Sequence, residues 1–174
     1  MSERKPERTV QSGQSETERR VALARVVCER KRAELGEHLL SVACYGSVAH
    51  NAAGPHSDLE LALLADDTLE LTYEPFMMDG VMGQCDILPA SRMLRAASKV
   101  SPKWGIEADQ HRCHLVLWDP GGWFARVQAA AHNLADEDFT VAIEAVWERT
   151  RAWGAPSSWT SSPTGKTGSA APSC

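Results

Sequence analysis

The feature that most constrains this chain is a small-residue turn placed between two short apolar runs. The runs are Leu39–Tyr45 and Asp58–Leu64, and the turn opens with Gly46-Ser47. Apolar runs of this length, bounded by turn residues, are typical of buried strands. Side chains of a strand alternate between its two faces, so Asp58 and Glu60 point to the same side. The pattern predicts two strands and, just after the turn, a pair of neighbouring carboxylates.

Carboxylates beside such a turn indicate chemistry on a phosphate group. Magnesium prefers hard oxygen ligands and commonly takes only one or two carboxylates from the protein, with phosphates and water completing its shell. Gly46 lets the backbone approach a triphosphate, and Ser47 offers a hydroxyl and an N–H group at the start of a short helix. The acid pair alone is more typical of a solvated strand face. The turn at this distance favours a site for Mg2+ and a nucleoside triphosphate.

Two blocks of sequence resemble a known family. The run from Tyr45 to Glu60 is similar to the Gly-Ser…Asp-x-Asp/Glu signature of the polymerase-beta-like nucleotidyltransferases, and more narrowly to the kanamycin nucleotidyltransferase group. A second block, Trp118-Asp-Pro-Gly-Gly-Trp123, resembles the Tyr-Asp-x-Gly-Gly-Tyr segment of that group. The resemblance covers roughly Leu40 to Gly154. It implies that AMP is transferred from ATP to a hydroxyl of an aminoglycoside-like acceptor, a reaction of antibiotic modification that needs Mg2+.

The resemblance also assigns roles to residues. It makes Asp58 and Glu60 catalytic ligands of Mg2+, and it places Gly46, Ser47 and Ser57 at the nucleotide. The acids and the turn come in the order and at the spacing of the family signature. These residues form the core of the expected site.

Two further roles are less closely matched. The family's third acid has its place taken here by Gln84, whereas Asp86 lies two residues further on and shares that strand face. Asp86 is therefore predicted as the third metal ligand. That Asp86 is an ordinary acid at the edge of a strand, without a metal role, stays an equal alternative.

The family's general base is a Glu on the helix after the second block. Glu144 and Glu148 are four apart and share a helix face; Glu148 is the predicted base, although a solvated carboxylate is the commoner case.

Composition bounds the function classes. The 174 residues fit one domain, and 43% hydrophobic residues suffice for a core. A net charge of −5 gives no basic field for nucleic acid and suits a cationic acceptor. Five cysteines without a C-x-x-C motif favour a reducing cytoplasm, and the cluster of His111, Cys113 and His114 lacks the second pair that a zinc motif needs. No run approaches the roughly 18 apolar residues of a membrane span.

The resemblance implies an α/β (α+β) nucleotidyltransferase fold, with a small mixed sheet and packed helices. Residues 1–14 are expected to be a disordered arm, residues 15–154 the nucleotidyltransferase domain, and residues 155–174 a disordered tail rich in Ser, Pro, Gly and Ala. Within the domain, residues 101–112 are expected to be irregular. The other expected elements are a helix at 15–35, a hairpin turn at Asp79-Gly80, a strand at 81–88, a helix to Lys99, a strand at 114–118, and helices at 123–133 and 136–153.

Some side-chain positions follow from the same pattern. The arginines and the lysine of the first helix, Arg20 among them, are expected on a solvated face. The last helix is expected to turn four apolar side chains toward the core: Phe139, Ile143, Val146 and Trp147.

Alternatives to an active enzyme stay open. The kanamycin-type enzymes continue into a second, helical domain, and the segment from Ala155 shows no such pattern. A truncated or inactive copy of the fold would look like this. So would a minimal nucleotidyltransferase domain that pairs with a helical protein, as in some toxin–antitoxin systems. The family also includes dimers that share their sites, so a homodimer is a further alternative.

Overall fold

A five-stranded mixed sheet lies at the centre of the computed structural model, which describes residues 10–152. Its spatial order is β3-β4-β2-β1-β5. Strands β2 and β4 are parallel, and the other three neighbouring pairs are antiparallel. This confirms the predicted small mixed sheet. The strands are β1 (Leu39–Cys44), β2 (Leu59–Ala65), β3 (Thr72–Met78), β4 (Val81–Pro89) and β5 (Leu115–Trp118).

Helices pack on both faces of the sheet. The helices in the described part of the chain are α1 (Val10–Leu35), α2 (Gly46–Ala49), α3 (Ala90–Ala97), α4 (Trp104–Arg112), α5 (Trp123–His132) and α6 (Asp136–Ala152). Helix α1 begins five residues before the predicted start at Ser15, inside the segment expected to be an arm. The rest of that arm (residues 1–9) and the expected tail (155–174) lie outside the described residues. None of the helices between residues 10 and 152 combines the length and the apolarity that crossing a bilayer requires.

Strand β2 is buried on both faces. Leu59, Leu61 and Leu63 pack against α1. On the opposite face, which carries Glu60, Ala62 and Leu64 lie in a second core under α3 and α5. Both faces are covered because β2 is a central strand, and helices cover both faces of a central strand in this kind of sheet. Only the beginning of β2 stays open to solvent on the acid face.

Helix α4 (Trp104–Arg112) lies inside the segment 101–112 that was expected to be irregular. Trp104 and His111 are seven residues apart, so both lie on one face of the helix, and both are buried. The helix is joined to α5 by two hydrogen bonds: Gln128 donates to the Arg112 carbonyl at 3.0 Å, and Arg112 donates to the Ala131 carbonyl at 3.3 Å. Pro102 and Gly105 are residues that argue against a helix in the sequence. Burial of the face that carries Trp104 stabilises the helix in the folded protein.

The last helix also departs from the predicted packing. Phe139 is partly buried and meets the ring of Trp104 edge-on, with 6.0 Å between centroids. Ile143 is 68% exposed and Trp147 is 49% exposed, and Val146 is exposed as well. The expectation that these three side chains face the core was wrong. Apolar periodicity specifies a helix face, but it does not specify whether another element covers that face.

Candidate active site

Gly46 brings the backbone against the carboxylate of Glu60. The Tyr45 N–H donates to the Glu60 carbonyl at 3.2 Å, which joins the turn after β1 to the start of β2. Gly46 has φ +64°, a conformation that favours glycine. A Cβ atom at this position would collide with Oε2 of Glu60. The backbone conformation therefore favours glycine, and any side chain here would displace the end of the Glu60 side chain.

Three predicted acids meet at this turn. Asp58 is exposed just before β2, Glu60 is half-buried on β2, and Asp86 is 4% exposed on β4. The strand register pairs Glu60 with Gln84 and Ala62 with Asp86, so the side chains of Glu60, Gln84 and Asp86 share one face of the sheet. The acids come from two parallel strands, and their proximity depends on the crossover between them.

The electrostatics of Glu60 reveal a fourth acid. Burial raises the pKa of Glu60 above its usual value, and Asp58, Asp86 and Asp109 raise it further by repulsion. Asp109 lies on α4, in the segment expected to be irregular, so the sequence pattern offered no reason to place it here. Neighbouring carboxylates repel one another, and a bound divalent cation would reduce this repulsion. Its hard oxygen donors are those that Mg2+ prefers, so the residues present fit this metal.

Asp86 is held by three neutral hydrogen-bond donors. Its Oδ2 accepts from the Tyr45 hydroxyl at 2.7 Å and from Nε2 of Gln110 at 3.2 Å. Its Oδ1 accepts from Nε2 of Gln84. Burial and the hydrogen bond to Asp86 raise the pKa of Tyr45 above its usual value, so its proton stays in place. A carboxylate has about four acceptor positions, so Asp86 keeps about one for a cation. Gln84 adds no charge and instead orients Asp86.

Asp109 occupies the donors of the Gly46 turn. Its Oδ2 accepts from the Gly46 N–H at 3.1 Å, and its Oδ1 lies 2.5 Å from Nε2 of His50. The backbone N–H of Gly46, at the turn predicted to approach a triphosphate, thus meets a carboxylate. A carboxylate and a phosphate oxygen are both anionic acceptors, so this contact shows that the turn accommodates an anion.

The two predicted serines close local turns. The Ser47 carbonyl accepts from the Ala52 N–H at 2.8 Å. The Ser57 hydroxyl accepts from the Gly54 N–H at 2.9 Å, and its own N–H donates to the Gly54 carbonyl at 3.1 Å. Ser57 therefore shapes the loop that delivers Asp58.

Arg20 holds the same loop and corrects a prediction. It was expected on a solvated face, but it is 1% exposed and is among the largest fully buried side chains in the described part of the chain. Its Nε and Nη2 donate to the Ser57 carbonyl at 2.9 and 2.7 Å, and Nη2 also reaches the Pro55 carbonyl at 3.3 Å. Glu16, one turn earlier on α1, pairs with its Nη1. Charge pattern alone did not distinguish this arginine from its exposed neighbour Arg19.

Glu148 is paired with a residue of its own helix. It is exposed on α6, and Nη1 of Arg151 on the same helix lies 3.3 Å from its Oε1. Glu144 is exposed on the same helix. The acids that act on Glu60 come from β2, β4 and α4, and neither helix glutamate is among them.

The second family-like block serves as a helix cap. Asp119 accepts from the Trp123 N–H at 2.8 Å and from the Phe124 N–H at 3.0 Å, which satisfies two N–H groups at the start of α5. Its Oδ1 also accepts from the Ser41 hydroxyl, so α5 is tied to β1. Gly122 has φ +64° just before the helix. The block therefore positions α5.

Two curated proteins are similar in sequence to this chain. The chain is 24% identical over 127 residues to an aminoglycoside nucleotidyltransferase (4') of Staphylococcus aureus, and equally to one of Bacillus sp. The matched part is 72% of this chain and 50% of each relative, so the chain spans about half the length of the curated relatives it matches. No protein-family model matches the sequence.

A solved structure shows the same fold. A nucleotidyltransferase-like protein from Exiguobacterium sibiricum 255-15 superposes with a TM-score of 0.51 at 7% identity, over 76% of this chain and 45% of that one. At this identity the likeness concerns the fold alone. The chain thus has a nucleotidyltransferase fold, and its sequence is similar to those of aminoglycoside nucleotidyltransferases.

Proposed function

We propose that this protein is a magnesium-dependent nucleotidyltransferase that transfers AMP from ATP to a hydroxyl of an aminoglycoside-like acceptor. The observation that carries the proposal is the meeting of Asp58, Glu60 and Asp86 beside Gly46, whose backbone touches Glu60. The similarity to aminoglycoside nucleotidyltransferases supports the reaction class and the acceptor class. A net charge of −5 suits a polycationic acceptor in a cytoplasmic setting.

In the proposed reaction, the acceptor oxygen forms a bond to the α-phosphorus of ATP. The bond from that phosphorus to the bridging oxygen breaks, and pyrophosphate leaves with the electron pair. Asp58 and Glu60 would hold the metal, and Asp86 would add a third oxygen from the neighbouring strand. When bound, Mg2+ supplies positive charge to the attacking and leaving oxygens. A triphosphate oxygen would replace the Asp109 carboxylate at the Gly46 N–H. The Ser47 hydroxyl would bind the triphosphate as well, and Ser57 shapes the loop beside it.

The proton of the acceptor hydroxyl needs a base, and Glu148 is proposed for that role. Its support is its place on the helix that follows the Asp119 block, where the resembled family carries its base. The carboxylate is exposed and within reach of solvent. For this role, α6 must present Glu148 to an acceptor bound at the acids.

The test is release of pyrophosphate by the purified chain with MgCl2, ATP and a panel of aminoglycosides. We expect release that depends on an acceptor and on Mg2+, and a loss of at least 100-fold in Asp58→Ala, since a metal ligand is removed. Glu70→Ala is the matched control, because Glu70 is an exposed acid outside this site. Release that persists in Asp58→Ala would refute the metal assignment.

An inactive copy of the fold is the second candidate, and two observations favour it. Gln84 stands where the resembled family has an acid, and Asp109 already occupies the Gly46 N–H. Absence of pyrophosphate release with every acceptor, followed by a gain in Gln84→Glu, would support this candidate.

A domain that binds a helical partner, in the toxin–antitoxin manner, is supported by the exposed apolar side chains of α6, such as Ile143 and Trp147. Co-purification of a helical protein from the native host tests it.

A further inference from the structure

A second group of metal-binding side chains lies beside the predicted acids. His50, Asp109 and Cys113 offer an imidazole nitrogen, a carboxylate oxygen and a sulfur, and these three atoms lie within 4.8 Å of one another. His50 follows α2, Asp109 lies on the last turns of α4, and Cys113 comes directly after α4. Asp109 and Cys113 are four residues apart, the spacing that puts two side chains on one helix face.

The surroundings of this group suit a metal site with one open position. Cys113 carries a thiol that is not in a disulfide and is 9% exposed. His50 is exposed, so water can reach the open side. The second carboxylate oxygen of Asp109 accepts from the Gly46 N–H at 3.1 Å. A hydrogen bond of this kind, to the far atom of a ligand, orients the ligand and is common around bound metals.

The donor types select a different metal from the acids on the strands. Imidazole and thiolate suit zinc, whereas magnesium takes oxygen ligands. Three protein ligands with a water in the fourth position form a common zinc arrangement. A tetrahedral shell with bonds of about 2.0–2.3 Å has ligand-to-ligand distances of about 3.5 Å. The nitrogen and oxygen of His50 and Asp109, 2.5 Å apart, must separate by about 1 Å to admit the ion.

We propose that His50, Asp109 and Cys113 form a binding site for a borderline divalent cation of the zinc class. The ion would replace the hydrogen bond between His50 and Asp109 and would join α4 to the turn after β1. This inference does not depend on the proposed transfer reaction, because its test measures metal binding alone and the site uses neither Asp58, Glu60 nor Asp86. The two sites meet at Asp109, which also acts on Glu60 and accepts from the Gly46 N–H. In the sequence, Cys113 stands beside His111 and His114, but neither histidine belongs to this group. The ring of His111 packs on Trp104, and the ring of His114 packs on Phe124.

The experiment is a titration of the purified full-length chain with Co2+, followed by displacement with Zn2+. Cobalt occupies zinc sites and absorbs light, and a thiolate ligand adds a charge-transfer band in the near ultraviolet. We expect this band to saturate at one equivalent of Co2+ and to disappear when Zn2+ is added. Cys113→Ser should lose the band, and His50→Ala should bind Co2+ at least tenfold more weakly. Since His50 is exposed, His50→Ala should fold even if Cys113→Ser does not.

Two control variants locate the signal. His38→Ala removes another exposed histidine that pairs with an acid, Asp66, at 2.8 Å without a thiol nearby. Cys174→Ser removes a cysteine outside the described residues. Both variants should keep the band. Absence of the band in the wild type at saturating Co2+, its survival in Cys113→Ser, full affinity in His50→Ala, or its loss in either control would overturn the proposal.

Discussion

At the scale of single residues, Gly46 is the position where conformation and chemistry coincide. A positive φ and a carboxylate at the site of a missing Cβ are separate constraints, and Gly46 is subject to both. Gly36 has a similar φ of +57°, but no atom lies within 4 Å of its virtual Cβ. A comparison of alanine variants at the two positions therefore separates the effect of backbone strain from the effect of a methyl group against Glu60.

We expect Gly46→Ala to lose at least tenfold in kcat/KM for nucleotidyl transfer, because the new methyl group displaces Glu60. Gly36→Ala should lose only stability, by roughly 1–2 kcal/mol for a left-handed residue. Steady-state kinetics and urea unfolding of both variants check this. Equal activity in Gly46→Ala and Gly36→Ala would show that the contact with Glu60 is unimportant.

The proposed base is tested by a pair of isosteric changes. Glu148→Gln should lower kcat by about 100-fold or more, the usual contribution of a general base. Glu144→Gln removes the same charge one turn earlier on α6 and should leave kcat within about twofold, since no catalytic role is proposed for it. If the two variants behave alike, the base lies elsewhere.

At the scale of elements, α1 positions the loop that carries Asp58. Arg20 reaches from α1 to the Ser57 and Pro55 carbonyls, and Thr17 accepts from the Ala53 N–H at 3.2 Å. A helix that is remote in sequence thus holds the loop from its outer side. The buried guanidinium supplies donors that an apolar residue of similar size lacks.

We expect Arg20→Met to destabilise the protein by about 2–4 kcal/mol, because it leaves Glu16 and two carbonyls without their buried partner. Arg19→Met is the matched control on the same helix; Arg19 is exposed, and its change should cost less than about 1 kcal/mol. Denaturant unfolding measures both. Arg20→Met should also raise the Mg2+ concentration needed for half-maximal activity. Equal stability of the two variants would contradict the role of Arg20.

The elements differ in how well the sequence predicts them. Strands β1 and β2, helix α5 and the Asp79-Gly80 turn follow from local patterns, and the structure confirms them. Helix α4 does not, because its stability comes from packing Trp104 and His111 in the core. Because α4 was not predicted, Asp109 was not predicted as a residue of the site either.

At the scale of the whole molecule, buried thiols link stability to pH. Burial raises the pKa of Cys44 on β1 from 9.0 to about 12, and it does the same for Cys85 on β4. An unfolded chain releases these protons above pH 9, whereas the folded chain keeps them until about pH 12. The folded state then binds more protons, so this contribution to stability is full below pH 9 and is lost between pH 9 and 12.

We expect the free energy of unfolding to fall more steeply between pH 9 and 11 in the wild type than in Cys44→Ala. The difference in slope should be on the order of 1 kcal/mol per pH unit, the value for one proton. Val42→Ala is the control, since Val42 is a buried neighbour on β1 without a titratable group. It should lower stability at every pH and keep the wild-type slope. Parallel curves for the wild type and Cys44→Ala would contradict the prediction.

The sequence by itself determined the turn at Gly46, the acid pair of Asp58 and Glu60, and the two strands on either side of the turn. These features are local, because a strand alternates its side chains and a turn needs particular residues. Only the tertiary structure decided the partners of those residues. Asp86 is oriented by Gln84 and Gln110, Arg20 is buried over the loop, and Asp109 reaches the Gly46 N–H. Such contacts join segments far apart in the chain, and no local pattern encodes them.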